Sequence, residues 1–180
     1  MDGDGTHVEA TGVLQVERHA LQIMLRAAGR VTGLALICTP ASESNVARAR
    51  GRWQRAARAN GMSATVAQSK PAWLYQRNAK IGRVVADMAR REGLVVLARQ
   101  TRALERRPDA HPVLAGITVP SLVLCGVADR RCTSAEGSAM AAAIPSTAFV
   151  EVPDAGHFAT LEQPEAVAAA LRVWLARIAA

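Results

Sequence analysis

At 180 residues the chain is one domain's worth of sequence, long enough to bury a core without disulfide or metal support. Half of it is apolar and 21% is charged, which excludes compositional disorder, and no apolar run reaches the roughly 20 residues that cross a bilayer. The net charge of +7 is local: Arg48 to Arg107 holds 15 basic residues against three acids, +12, while the remainder holds 7 against 12, −5.

From about Leu14 to Ala28, Val16, Ala20, Ile23, Met24 and Ala27 recur at three- and four-residue steps, which predicts an amphipathic helix with Gly29 as its left-handed C-cap. Gly33 to Cys38 is a short, nearly continuous apolar run closed by Thr39-Pro40, the pattern of a strand buried on both faces. Between Ala41 and Pro112 the pattern changes to helices separated by breaks. The pieces are about 45–59, about 73–91 stopped by Gly93, and about 94–106 before Arg107-Pro108.

A strand-and-helix rhythm then resumes. Val119 to Gly126 is a β-branched apolar run with Pro120 confined to its start. Thr133-Ser-Ala-Glu136 has the capping-box spacing and opens a helix through about Ile144. Ala148 to Val152 is the next strand. Pro164 begins a last helix whose Val167, Leu171, Trp174, Leu175 and Ile178 form one apolar face. Strands each followed by a helix predict an α/β fold, a partial parallel sheet with flanking helices. In this reading residues 1–40 and 112–180 make the core and 41–111 a helical insertion.

Met1-Asp2-Gly3-Asp4 is acidic where a secretory signal is basic and then apolar, and three scattered cysteines make neither a disulfide framework nor a metal cluster. A cytoplasmic protein without cofactor or metal, off the membrane, is expected. The arginine-rich stretch has few aromatics beside it and no RRM, KH or zinc-finger pattern. It reads first as a solvated helical surface, then as a positive field for acidic substrates, and last as a nucleic-acid face, so no nucleic-acid partner is expected.

Reacting groups in open parallel sheets gather in loops at the carboxyl ends of strands. Two such loops carry Asp129, in Gly126-Val-Ala-Asp129, and His157, in Asp154-Ala-Gly-His157. Alone, Asp129 reads as a turn residue and His157 as a satisfied loop histidine. Together, from neighbouring strand ends, they are able to form the pair in which a carboxylate fixes the imidazole tautomer. The stretch Leu114 to Asp129, then Met140 to Pro145, then Val152 to Glu165, resembles the C-terminal half of the α/β-hydrolase superfamily. The resemblance runs over roughly Ile23 to Leu175. It implies Asp129 as triad acid, His157 as general base, a helical cap over the site around Arg99 to Asp109, a small-molecule ester or related acyl substrate, and chemistry carried by side chains alone.

The family sets its nucleophile on a strand-to-helix turn of the form G-x-S-x-G. Counting back without gaps from Val31, that turn falls on Gly12-Val-Leu-Gln-Val16, with Leu14 in the serine's place and Val16 and Glu17 where glycines belong. Leucine has no lone pair with which to attack a carbonyl. The family's earlier strands, with the turn that supplies an oxyanion-hole donor, call for on the order of a hundred further residues upstream, so a truncated core is expected. Substitute nucleophiles are Cys38, at the end of the first strand, and Ser42 beyond it. Ser44, Ser121, Ser134, Cys125 and Cys132 are weaker. The alternative function is a catalytically inactive module that binds a partner. Without preceding strands, the strand at 33–38 becomes an edge unless residues 5–13 pair with it, which predicts a homodimer or a complementing chain.

Overall fold

The computed structural model describes residues 16–41, 55, 58–61, 64, 73–76, 78–105 and 109–179. Its centre is a parallel three-stranded sheet in the order β1-β2-β3, with β1 at Leu34–Ile37, β2 at Ser121–Gly126 and β3 at Thr147–Val152. Ser121 is the register point of the sheet: it aligns with Leu34 on one side and Thr147 on the other.

β2 is buried along its whole length, and successive side chains go to opposite faces, as a pleated strand requires. Val123 and Cys125 join Leu34 and Leu36 under helix α1 (Val16–Ala27) and the helix at Ser134–Ala143, through Ala20, Leu21, Met24, Met140 and Ile144. Leu122 and Leu124 join Ile37 and Val152 against the last helix, Pro164–Ile178, through Val167, Leu171 and Trp174. Each wholly buried aliphatic side chain contributes about 1.5–3 kcal/mol by leaving water, so the two apolar layers hold the strands in place. The Trp174 indole N–H donates to the Pro120 carbonyl at 3.0 Å and fixes the last helix to the start of β2. One expected core residue faces outward: Leu175 is 48% exposed, because it lies about 100° round the helix from Trp174.

The helix ends follow local chemistry. Glu136 N–H donates to the Thr133 hydroxyl while the Glu136 carboxylate accepts from the Thr133 N–H, the reciprocal capping box that the spacing predicts. Gly29 is not a left-handed cap. The chain tightens into a 3₁₀ turn at Ala28–Arg30, Val31 N–H donating to the Ala28 carbonyl at 3.0 Å, and that bond satisfies the helix end without a positive φ.

Between β1 and β2, the helix expected at 45–59 falls almost wholly outside the described residues. The next helix, α2, runs from Ala79 to Glu105 and is broken at Gly93, whose φ of 72° and ψ of 174° separate two helical pieces, as the glycine predicts. It starts at Ala79 rather than near Trp73, since the Asn78 carboxamide oxygen accepts from Lys80 and Ile81 N–H and caps it there. Two one-turn helices complete the fold: α3 at His111–Leu114, and, with Ser134–Ala143 as α4, α5 at Ala159–Glu162 ahead of α6, Pro164–Ile178. Among the described residues no helix is long and apolar enough to cross a membrane.

Candidate active site

Adjacent parallel strands bring two loops to one rim of the sheet. β2 ends at Gly126 and leads to Asp129; β3 ends at Val152 and leads to His157. The loops are tied main chain to main chain, with Val127 N–H donating to the Val152 carbonyl at 3.0 Å and Ala128 N–H to the Ala155 carbonyl at 2.9 Å. Gly126 is what permits the approach. A Cβ there would lie 2.4 Å from the Gly156 carbonyl oxygen and 2.5 Å from that of Ala155.

Asp129 is oriented by its own turn. Its N–H donates to the Gly126 carbonyl at 2.9 Å, and its Oδ1 accepts from Arg131 and Cys132 N–H at 2.7 and 3.1 Å. Oδ2 is left to face His157 Nδ1 at 3.0 Å. The Asp129 side chain is fully buried and that of His157 is 11% exposed, so water competes weakly for the contact. Since the carboxylate only accepts, Nδ1 carries the proton and donates to it, and Nε2 keeps its lone pair. The structure thus joins the two residues that the loops single out.

The segment between β1 and β2 reaches the same loop. His157 N–H donates to the Trp73 carbonyl at 2.8 Å, and the Trp73 and Phe158 rings meet edge to face with centroids 6.1 Å apart. Trp73 and Leu74, in a strap at Trp73–Gln76, pack with Val85, Ala89 and Phe158 in a small apolar cluster. The Glu162 carboxylate bridges the two segments, accepting from Tyr75 N–H at 2.6 Å and from Gly156 N–H at 2.7 Å. The sequence gives no spacing signal for that contact, because Tyr75 and Glu162 are 87 positions apart. Beside it opens a polar surface cleft of about 570 Å³, bordered by Tyr75, Asn78, Asp154, Glu162 and Gln163. The neighbouring Asp154 carboxylate raises the Tyr75 phenol's pKa above its usual value, by hydrogen bonding to the protonated form and then by its charge.

Leu14 and Ser42, like Ser44, lie outside the described residues. Cys38 stands at the end of β1 with a φ of 51°. Its thiol is directed at the Gly156 carbonyl, Sγ to O 3.8 Å, so it lies against the His157 loop but gives its proton to the backbone. Burial, and then the Asp129 charge, push that thiol's pKa far up, which disfavours thiolate. Ser121 is at the opposite end of β2 from Asp129, its hydroxyl donating to the Val119 carbonyl at 2.9 Å. Ser134 is half-buried at the first turn of α4, with its hydroxyl oxygen out of reach of solvent. Cys125 and Cys132 are buried with sulfurs 3.7 Å apart, and this mutual hydrogen bond, with burial, raises the Cys132 pKa. Among the described residues no serine or cysteine side chain bonds to the His157 ring, and no cluster of three or more His, Cys, Asp or Glu side chains is arranged to hold a metal ion.

The model of the Alpha/beta hydrolase family matches residues 12–170. The chain belongs to the α/β-hydrolase family. Solved structures agree with this assignment. The chain is 28% identical to a thermophilic esterase from Thermogutta terrifontis, with a TM-score of 0.81 over 91% of this chain and 62% of that one. It is 27% identical to the enol-lactonase from Burkholderia xenovorans LB400, with a TM-score of 0.75 over 89% and 62%. It is 26% identical to a hydrolase from Pseudomonas aeruginosa PA01, with a TM-score of 0.78 over 88% and 61%. The chain therefore spans about three fifths of the length of these α/β hydrolases. Among curated proteins, none matches it in sequence.

Proposed function

We propose that this α/β hydrolase cleaves small-molecule esters or related acyl substrates, with His157 as general base and Asp129 as the residue that orients it. The single observation that carries the reading is the 3.0 Å contact between His157 Nδ1 and Asp129 Oδ2. Because Oδ1 is occupied by two backbone N–H groups, the carboxylate presents one oxygen to the ring and holds the tautomer whose Nε2 accepts a proton. An attacking hydroxyl, thiol or water gives that proton to Nε2 as it adds to the acyl carbon. The imidazolium, stabilised by Asp129, returns it to the leaving oxygen. The esterase and the lactonase among the similar structures both act on bonds of this kind by name. In this reading residues 41–111 are the cap, and the strap at Trp73–Gln76 is the part of it seated on the base's loop. The outer edge of β1, which has no partner strand among the described residues, is where a second copy or a complementing chain adds. A monomeric mass by light scattering at high micromolar concentration overturns that assembly.

Hydrolysis of a short-chain aryl ester tests the chemistry. His157→Ala is expected to lower kcat by roughly 10²- to 10⁴-fold, the range for loss of a general base. Equal slow rates in wild type and variant overturn the reading. They favour instead a non-catalytic binding module on the same fold, the reading that Leu14 at the counted elbow position supports.

A further inference from the structure

We infer that Glu162 is a positioning residue for His157, holding the direction of Nε2 by clamping the strap to the loop that carries the base. The inference rests on the reading of His157 as that base. Asp129 alone does not fix the imidazole, because one hydrogen bond at Nδ1 leaves the ring free to pivot about it and to swing Nε2 across the rim. What removes that freedom is the backbone under the ring. The peptide N–H groups on both sides of the Gly156–His157 link are taken: Gly156 N–H by Glu162 Oε2 at 2.7 Å, and His157 N–H by the Trp73 carbonyl at 2.8 Å.

Trp73 is itself part of the strap, and Glu162 Oε1 holds the strap through Tyr75 N–H at 2.6 Å. One carboxylate therefore secures both partners of the contact, each through a charge-assisted bond of the stronger class. The fit is close: a Cβ on Gly156 would lie 2.7 Å from the Trp73 oxygen, 2.9 Å from Tyr75 N and 3.0 Å from the Leu74 carbonyl carbon. These are all main-chain atoms, so nothing there yields by rotating a side chain. The Phe158 ring lies edge-on to the imidazole, centroids 5.8 Å apart, and belongs to the same cluster as Trp73 and Leu74. Lifting the strap thus releases the ring from two sides while leaving the Asp129 contact available.

Glu162→Gln is the decisive variant. It keeps the side chain's size but offers one acceptor instead of two and turns an amide N–H₂ toward a backbone donor. The readout is nuclear magnetic resonance of the full chain with labelled histidine and amide nitrogens. The expected result is exchange of the Tyr75 and Gly156 amides accelerated by roughly tenfold or more, together with a moved His157 Nε2 resonance and a moved His157 titration midpoint, His111 serving as the unmoved reference. Gly156→Ala, which pushes the strap away with Glu162 intact, is expected to give the same change at the ring. If Glu162→Gln leaves the His157 ring signals and midpoint at wild-type values, or if Gly156→Ala does so while its strap amides are exposed, the inference is overturned. Where ester hydrolysis is measurable, kcat is expected to fall by roughly tenfold or more and KM by less, as for a misplaced base. Absence of hydrolysis in the wild type counts against the proposed function and leaves the ring measurement to decide the role of Glu162.

Discussion

The sheet and the strap are held by different physics. β1, β2 and β3 lie between two apolar layers that take alternate residues of β2, Val123 and Cys125 one way, Leu122 and Leu124 the other. Among the described residues, the strap at Trp73–Gln76 shares a small buried cluster with Val85, Ala89 and Phe158 and is held to the His157 loop by backbone N–H groups given to one carboxylate and one carbonyl. Burial is tolerant of which aliphatic residue supplies it, whereas the polar clamp depends on one side chain at one distance. The comparison teaches that the platform of this site is cooperative with the whole core and that its upper wall is a local attachment.

The largest expected difference comes from cutting the same side chain in both places. Leu124→Ala, at a wholly buried position between β1 and β3, is expected to cost about 2–5 kcal/mol, while Leu74→Ala sits at or below the low end of that range, about 2 kcal/mol, because the strap is able to close over the space. Chemical denaturation of the two variants measures both, and equal losses dissolve the contrast. Next in size is Gly137→Ala. Its Cβ would meet the Cys125 sulfur at 2.4 Å and the Phe149 ring at 3.1 Å, so about 1–3 kcal/mol is expected from overpacking the α4 side of the sheet. Gly116→Ala is the control: its Cβ meets only the Val113 carbonyl oxygen at 3.5 Å, and a change within about 0.5 kcal/mol is expected. Thr133→Ala, which removes one half of the capping box, is expected to cost about 1 kcal/mol in the same titration. Smallest is Asp87→Ala on α2. It breaks an ion pair with Arg90 whose side chains are 49% and 56% exposed, and its effect on the melting temperature should correspond to less than about 0.5 kcal/mol.

The same contrast explains what the sequence made legible. The strands stood out because a strand covered on both faces needs consecutive apolar residues, as Leu34–Ile37 and Leu122–Cys125 supply. Asp129 and His157 were legible because parallel neighbours place successive loops at one rim, so order along the chain becomes proximity. Glu162 was not, since its partners are backbone N–H groups, which every residue has and no residue type announces. Trp73 and Leu74 misled for a related reason: their apolar side chains read as helix, but they are spent on Phe158, and Asn78 sets the helix start. Gly29 misled because a 3₁₀ turn closes α1 without the conformation that a glycine cap supplies. The one-turn helices at His111–Leu114 and Ala159–Glu162 are shorter than any period that reading of a pattern detects.

The contact between Gly126 and the carbonyls of Ala155 and Gly156 has a consequence for how such a site drifts. The ruler between the Asp129 and His157 loops is peptide, not side chain, and so it is indifferent to repacking of the layers around it. The residues between β1 and β2 and those lining the cleft are free to change while the Asp129 carboxylate and the His157 imidazole stay at the same spacing, until something other than hydrogen appears on the α-carbon of residue 126.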